Sequence, residues 1–175
     1  MHLRQRNAFN AHQATSMHIK RQTLGLIGWL TAAFATGGIG AIASIDAAAF
    51  YATLNTPPWA PPASVFGPVW SALYACMGIA AWLVWRTGEN TRQALALFIA
   101  QLVVNALWSW LFFAWRLGAL AFVDVLLLLV VIAATIHYFG RHSRLAAALL
   151  SPYILWVGFA SALTWAVWRA NPNVL

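Results

Sequence analysis

Five apolar runs, each close to the ~20 residues that cross a bilayer, limit this chain more than any other feature. They lie at about 24–45, 65–86, 93–114, 118–139 and 144–168. Peptide groups cannot stay unpaired in hydrocarbon, so runs of this length are predicted to be helices that satisfy their own backbone. Composition enters as a check. The chain is 62% hydrophobic and 7% charged, whereas a soluble domain carries about 25% charged residues. So few charges cannot cover a water-facing globule. The predicted fold class is all-α: a polytopic membrane protein, a bundle of five transmembrane helices over residues 22–172, with the lipid bilayer as its first partner.

The formal net charge of +7 does not indicate nucleic-acid binding. The basic residues sit singly between apolar runs or in the N-terminal arm, and line no groove-forming surface. Their distribution reads instead as topology. The arm holds Arg4, Arg6, Lys20 and Arg21; the second connector holds Arg86 and Arg92, and the fourth Arg141 and Arg144. The other side holds Arg116 and Arg169. The positive-inside rule then predicts an inside N-terminus. The membrane compartment stays open between a bacterial envelope membrane and an organelle outer membrane, which need not follow that rule.

Residues 1–21 show no apolar periodicity and are predicted to be a disordered basic arm. Arg-rich, acid-free N-termini also occur in organelle targeting sequences, though the amphipathic pattern here is poor. The first run is too long and too late for a cleavable signal peptide. His2, His12 and His18 lack metal-site spacing, and the single Cys76 reads as a small buried hydrophobe. No metal site is predicted. Along the first run, Ala32, Thr36, Gly40 and Ser44 form a row of small residues, with Gly37 and Ala41 beside it. Such rows let helices approach closely, either within one subunit or at a dimer seam.

The one long connector, "YATLNTPPWAPPASVFGPVW" (51–70), carries Pro57, Pro58, Pro61 and Pro62, which forbid a regular helix there. Its Tyr51, Trp59 and Phe66 leave two readings open: a lid lying across the bundle, or an aromatic belt at headgroup depth.

Polar groups inside the apolar runs are the candidate functional residues. Gln101, Asn105 and Trp108 share one helix face, as do Trp70, Tyr74 and Met77, and Trp156, Ala160, Leu163 and Thr164. These stripes either cross-link helices or line an aromatic pocket for a flat apolar ligand. Asp124 lies within the fourth run and is predicted to pair with Arg116 or an indole N–H. His137 is about 220° further round the same helix, so the two form no dyad; it reads as an interfacial side chain. No nucleophile elbow, phosphate loop or carboxylate pair is present. Acid–base hydrolysis and ion transport both lack the groups they need.

Four stretches resemble the translocator protein family, also known as tryptophan-rich sensory proteins or peripheral benzodiazepine receptors. They are "PPWAPPASVFGPVWSALY" (57–74), "AQLVVNALWS" (100–109), "ALAFVDVLLL" (119–128) and "SPYILWVGFASAL" (151–163). The resemblance spans about residues 24–172. It implies a five-helix bundle, commonly a homodimer, that holds porphyrins such as protoporphyrin IX or haem, cholesterol-like lipids and benzodiazepine-type drugs under the first loop. No cofactor is required. By motif, it implies that Trp70, Tyr74, Asn105, Trp108, Trp156, Ala160 and Leu163 form the pocket, with Tyr51 and Pro61 closing it. It implies transport, sensing or regulation of tetrapyrroles. The alternative is an enzyme that degrades porphyrin with light and oxygen, with Trp70 and Trp156 as the candidate catalytic residues. The sequence also departs from the family. Thr164 follows Leu163 where Asn is frequent, Trp165 stands at the Tyr of a proposed sterol motif whose Arg169 remains, and Ala60 and Ser64 replace bulkier or polar loop residues. Sterol recognition and the fit of the lid are what these departures touch.

Overall fold

A computed structural model describes the backbone of residues 2–88 and 90–175, and the side chains of 19–88 and 90–175. The helices are α1 (His2–Ala43), α2 (Ala47–Thr53), α3 (Phe66–Trp85), α4 (Arg92–Ser109), α5 (Gly118–His142), α6 (Arg144–Leu149) and α7 (Ser151–Ala170). A 3-10 turn, Ala63–Val65, leads into α3, and a π turn, Trp110–Ala114, extends α4. Five helical segments are long and apolar enough to cross a membrane: Ile19–Ala43, Ala63–Trp85, Arg92–Ala114, Gly118–His142 and Arg144–Ala170. They coincide with the five predicted runs to within a few residues.

Residues 2–21 of the expected disordered arm stand in the structure as the start of α1. No Gly or Pro interrupts the chain between His2 and Leu24, so nothing stops a helix running back from the membrane span. The side chains of residues 1–18, including His2, His12 and His18, lie outside the described residues.

Helix α1 packs on α3 and α4, α4 on α5, α5 on α7, and α6 on α3 and α5. The α1–α3 contact is close because Gly78 lets the backbones meet. A Cβ there would sit 2.9 Å from the Leu30 Cα. Small residues also fit against large ones at the end of the bundle where α3 ends and α4 begins. Ala80, Ala81, Ala94 and Ala146 are fully or almost fully buried beside Phe98 and Phe139, whose rings stack at 5.8 Å. Without a hydrophobic drive between helices in lipid, this interlocking is the principal source of cohesion. Ser143 breaks α5 from α6, and its Oγ accepts from the Ala146 N–H at 3.2 Å, an N-cap. Apolar side chains point outward to lipid, among them Val130, Val123 and Val103, each more than 60% exposed.

At the opposite end the packing changes. Helices α3 and α7 meet there through ring pairs, Trp70–Tyr153 at 6.1 Å and Phe66–Trp156 at 5.9 Å. The long connector crosses above them. It begins inside α2, becomes irregular from Leu54 to Pro62, and is pinned by Asn171. The Asn171 Oδ1 accepts from the Asn55 N–H at 2.9 Å, and its Nδ2 donates to the Asn55 carbonyl at 3.0 Å. One buried amide thus ties the loop to the end of α7.

Candidate functional site

Beneath this loop lies a cavity of about 540 Å³, bounded by α1, α2, α3, α4 with its π turn, and α7. Of the nine predicted site residues, Tyr51, Trp70, Tyr74, Asn105, Trp108, Ala160 and Leu163 line it. Trp156 does not. It sits against Phe66 and Phe159, at 5.9 and 5.5 Å, so Phe66 stands on the cavity wall in its place. Pro61 is also outside the lining. Its carbonyl accepts from the Tyr51 hydroxyl at 3.4 Å, which makes it a support of the roof. Desolvation pushes the Tyr51 phenol above its usual range.

Each wall has a local cause. Apart from Phe34, the α1 wall is built of small residues, among them Gly37, Gly40 and Ala41, and is continued by Ser44; these four are part of the row read in the sequence. A Cβ on Gly37 would come 2.6 Å from the Tyr74 ring, so this glycine leaves room for the ring behind it. Thr36 and Ser44 return their hydroxyls to the carbonyls one turn back, Ala32 and Gly40, at 3.1 and 2.8 Å. The row therefore presents little free polarity. The α3 wall is Trp70 stacked on Tyr74 at 5.5 Å. On α4, Trp108 stacks on Phe112 at 5.2 Å; the π turn carries Phe112 and Phe113 into the same space.

The amide face of α4 divides its work. The Tyr74 hydroxyl donates to Asn105 Oδ1 at 2.9 Å, and Asn105 Nδ2 donates to the Tyr153 hydroxyl at 3.2 Å. That hydroxyl donates in turn to Gln101 Oε1 at 2.8 Å. Gln101 Nε2 approaches the Met77 sulfur at 3.8 Å. Asn105 and Tyr74 belong to the cavity wall, whereas Gln101 and Tyr153 are buried behind it. The network cross-links α3, α4 and α7, and its outer members form the polar patch of an apolar cavity. A second polar group is less settled. The Trp108 Nε1–H is buried and has no acceptor among the described residues.

Sequence reasoning missed Tyr153 and Asn171. Tyr153 is one turn before Trp156, on the side that meets the α4 amides; a tyrosine one turn from the predicted Trp156 stripe was the available signal. Asn171 had no signal, because its partners are backbone groups of a distant loop.

The predicted pairing of Asp124 is not what the structure gives. Asp124 is buried, and its Oδ2 has no hydrogen-bond partner among the described residues. Arg116, at φ 54° in the turn before α5, places its guanidinium over the Phe50 ring at 4.7 Å instead. His137 is exposed, and no cluster of metal-ligating side chains occurs among the described residues. In the connector, Tyr51, Ala63 and Phe66 roof the cavity, while Trp59 is half-exposed and packs on Phe159 at 5.8 Å. Trp165 and Arg169 face outward, with the guanidinium 5.5 Å from the indole.

Comparison with known proteins agrees with this architecture. The sequence pattern of the TspO/MBR family matches residues 27–169. The human Translocator protein is 43% identical over 126 residues, 70% of this chain and 75% of that protein. The Tryptophan-rich protein TspO of Archaeoglobus fulgidus is 36% identical over 150 residues, 85% of this chain and 97% of that protein. The Tryptophan-rich sensory protein of Cereibacter sphaeroides is 36% identical over 145 residues, 83% and 90%.

Proposed function

This chain belongs to the TspO/MBR family as a multi-pass membrane protein, and from that premise we propose that it is a receptor for porphyrins. It takes the flat ring into the cavity beneath the first loop and acts in tetrapyrrole transport, sensing or regulation. The observation that carries this reading is the pairing of stacked aromatic walls with one small polar patch. Trp70 and Tyr74 on one side, and Trp108 and Phe112 on another, offer ring faces. Asn105, on the cavity wall with one amide N–H beyond its bond to Tyr153, offers a hydrogen bond to a polar edge. The Trp108 N–H is buried beside the cavity without an acceptor, at a cost of about 1–3 kcal/mol, and a small turn of the indole would bring it to a ligand carboxylate or carbonyl. The described lining contains no His, Cys or Met, and its two tyrosine hydroxyls donate to Pro61 and Asn105, so this reading places the affinity on the ring. Sterol-like and benzodiazepine-type molecules fit the same description of an apolar body with one polar edge.

The test is a dark titration of detergent-purified protein with protoporphyrin IX, read by Trp fluorescence quenching. Trp70→Ala is expected to weaken binding by roughly 1–3 kcal/mol, the worth of a buried aromatic contact. Unchanged affinity in a folded Trp70→Ala protein contradicts the assignment.

A second reading is light- and oxygen-dependent porphyrin degradation. Trp70, on the cavity wall and stacked on Tyr74, is the residue that favours it. Bleaching under light that is the same in a Trp70→Phe, Trp156→Phe protein removes it. We propose further that the chain forms a homodimer, and that its N-terminus lies on the inner side of its membrane, as the Lys and Arg distribution indicates.

A further inference from the structure

The end of the bundle away from the loop carries a second concavity, unrelated to the porphyrin reading. It is a cleft of about 600 Å³ where the start of α4 meets the end of α5. Asn90, Arg92, Gln93, Tyr138, Arg141 and His142 line it. Arg92 and Arg141 are exposed and come from different helices. Tyr138 organises the floor: its hydroxyl accepts from Gln93 Nε2 at 3.1 Å, and the Arg141 guanidinium lies 5.3 Å from its ring. Two permanent cations, a histidine and two amides thus converge on one hollow.

The surroundings say what kind of anion reaches it. Helix α5 has 25 residues, roughly 37 Å at 1.5 Å per residue, against a hydrocarbon core of about 30 Å. Its last turn, with Tyr138, Arg141 and His142, therefore stands at headgroup depth. Immediately below the cleft the helix faces turn to lipid. On α4, Ala96 of the cleft continues helically to Ile99 and Val103, 43% and 64% exposed. On α5, the Arg141 stripe continues to Val130, 67% exposed. A basic hollow standing directly above an open apolar stripe matches a molecule with a phosphate head and acyl tails. Arginine suits that head, since its planar fork bonds two phosphate oxygens at once.

We propose that this cleft is a binding site for the phosphate of an anionic phospholipid, whose acyl chains lie along the exposed faces of α4 and α5. Basic pockets between transmembrane helices near the bilayer surface take such headgroups.

The test uses the full chain in mixed micelles containing phosphatidylglycerol or phosphatidylcholine, with bound lipid counted by native mass spectrometry. Phosphatidylglycerol is expected to be retained over phosphatidylcholine. Arg92→Gln and Arg141→Gln should each lower that retention roughly fivefold, and together about 25-fold. Arg169→Gln, on the opposite face, should leave it unchanged. Both arginines are solvent-exposed, so the variants should melt with the wild type; if the double variant fails to fold, the single variants carry the test. Equal retention of the two lipids, or equal retention by wild type and variants, overturns the proposal. Inorganic phosphate in millimolar excess separates the two sources of the anion. Phosphatidylglycerol that stays bound supports the lipid site, and displacement by phosphate makes the cleft a free-anion site and overturns it.

Discussion

The two ends of this bundle use one apolar alphabet and reach opposite results. At the α3–α4 connector end, alanines face phenylalanines and Gly78 admits Leu30, and the interior between the helices closes. At the loop end, small residues of α1 face a space that the aromatics of α3 and of α4 with its π turn border without filling. The aromatics there are held by their own partners. Trp70 stacks on Tyr74, Trp108 stacks on Phe112, and Tyr74, Asn105 and Tyr153 are tied in one chain of hydrogen bonds. Rings that are already occupied cannot collapse inward. Packing gives the closed end its stability, and restraint gives the open end its cavity.

That contrast is broken most strongly at the closed end. Phe98→Ala removes a fully buried ring and is expected to cost about 3–5 kcal/mol, read as a large fall in thermal stability in detergent. Protoporphyrin IX affinity of the protein that remains folded should change little. Equal losses of stability and affinity would mean that the two ends are not separable. At the open end the same comparison inverts. Trp108→Phe keeps the stacked ring and deletes an unpaired donor, so stability should be held or slightly raised. Affinity for protoporphyrin IX should fall by about 1–2 kcal/mol; no fall would show that the indole N–H faces no ligand.

Tyr153→Phe is the intermediate case. It leaves Gln101 without its donor and Asn105 without its acceptor, for a stability loss of about 1 kcal/mol, since intramembrane hydrogen bonds are modest. Its effect on affinity should run through Asn105, so Asn105→Ala and the double variant should bind alike. Additive losses would assign Tyr153 a separate role. The smallest expected effect belongs to Asn171→Ala, which unties the loop from α7. Hydrogen exchange over residues 54–62 should quicken while the melting temperature moves by only a few degrees. Unaltered exchange would show that the amide does not hold the roof.

Much of this was legible in the sequence, and the reasons are specific. The five spans follow from run length alone, because lipid permits no other backbone solution. The prolines at 57, 58, 61 and 62 marked where helix stops. Asn105 and Trp108 stood out because an amide in an apolar run needs a partner. What was not legible depends on how far apart helices sit. Trp156 shares a stripe with Ala160, yet lies a full turn lower and about 40° round, which leaves it behind Phe66. Asp124 and Arg116 are only two turns apart in sequence, but the left-handed backbone at Arg116 turns its side chain to Phe50. The π turn at Trp110–Ala114 contains no Gly or Pro, so no breaker announced the place where two phenylalanines enter the cavity.

The most direct measurement fills the space itself. Ala160 lines the cavity from α7, and Ala160→Phe places a ring where the ligand ring is proposed to lie. In a dark titration with protoporphyrin IX, beside wild type and with melting temperature as the control for folding, the account predicts loss of saturable binding in a protein that still melts cooperatively. Wild-type affinity in folded Ala160→Phe protein would contradict it, and would place porphyrin recognition, if present, elsewhere on the molecule.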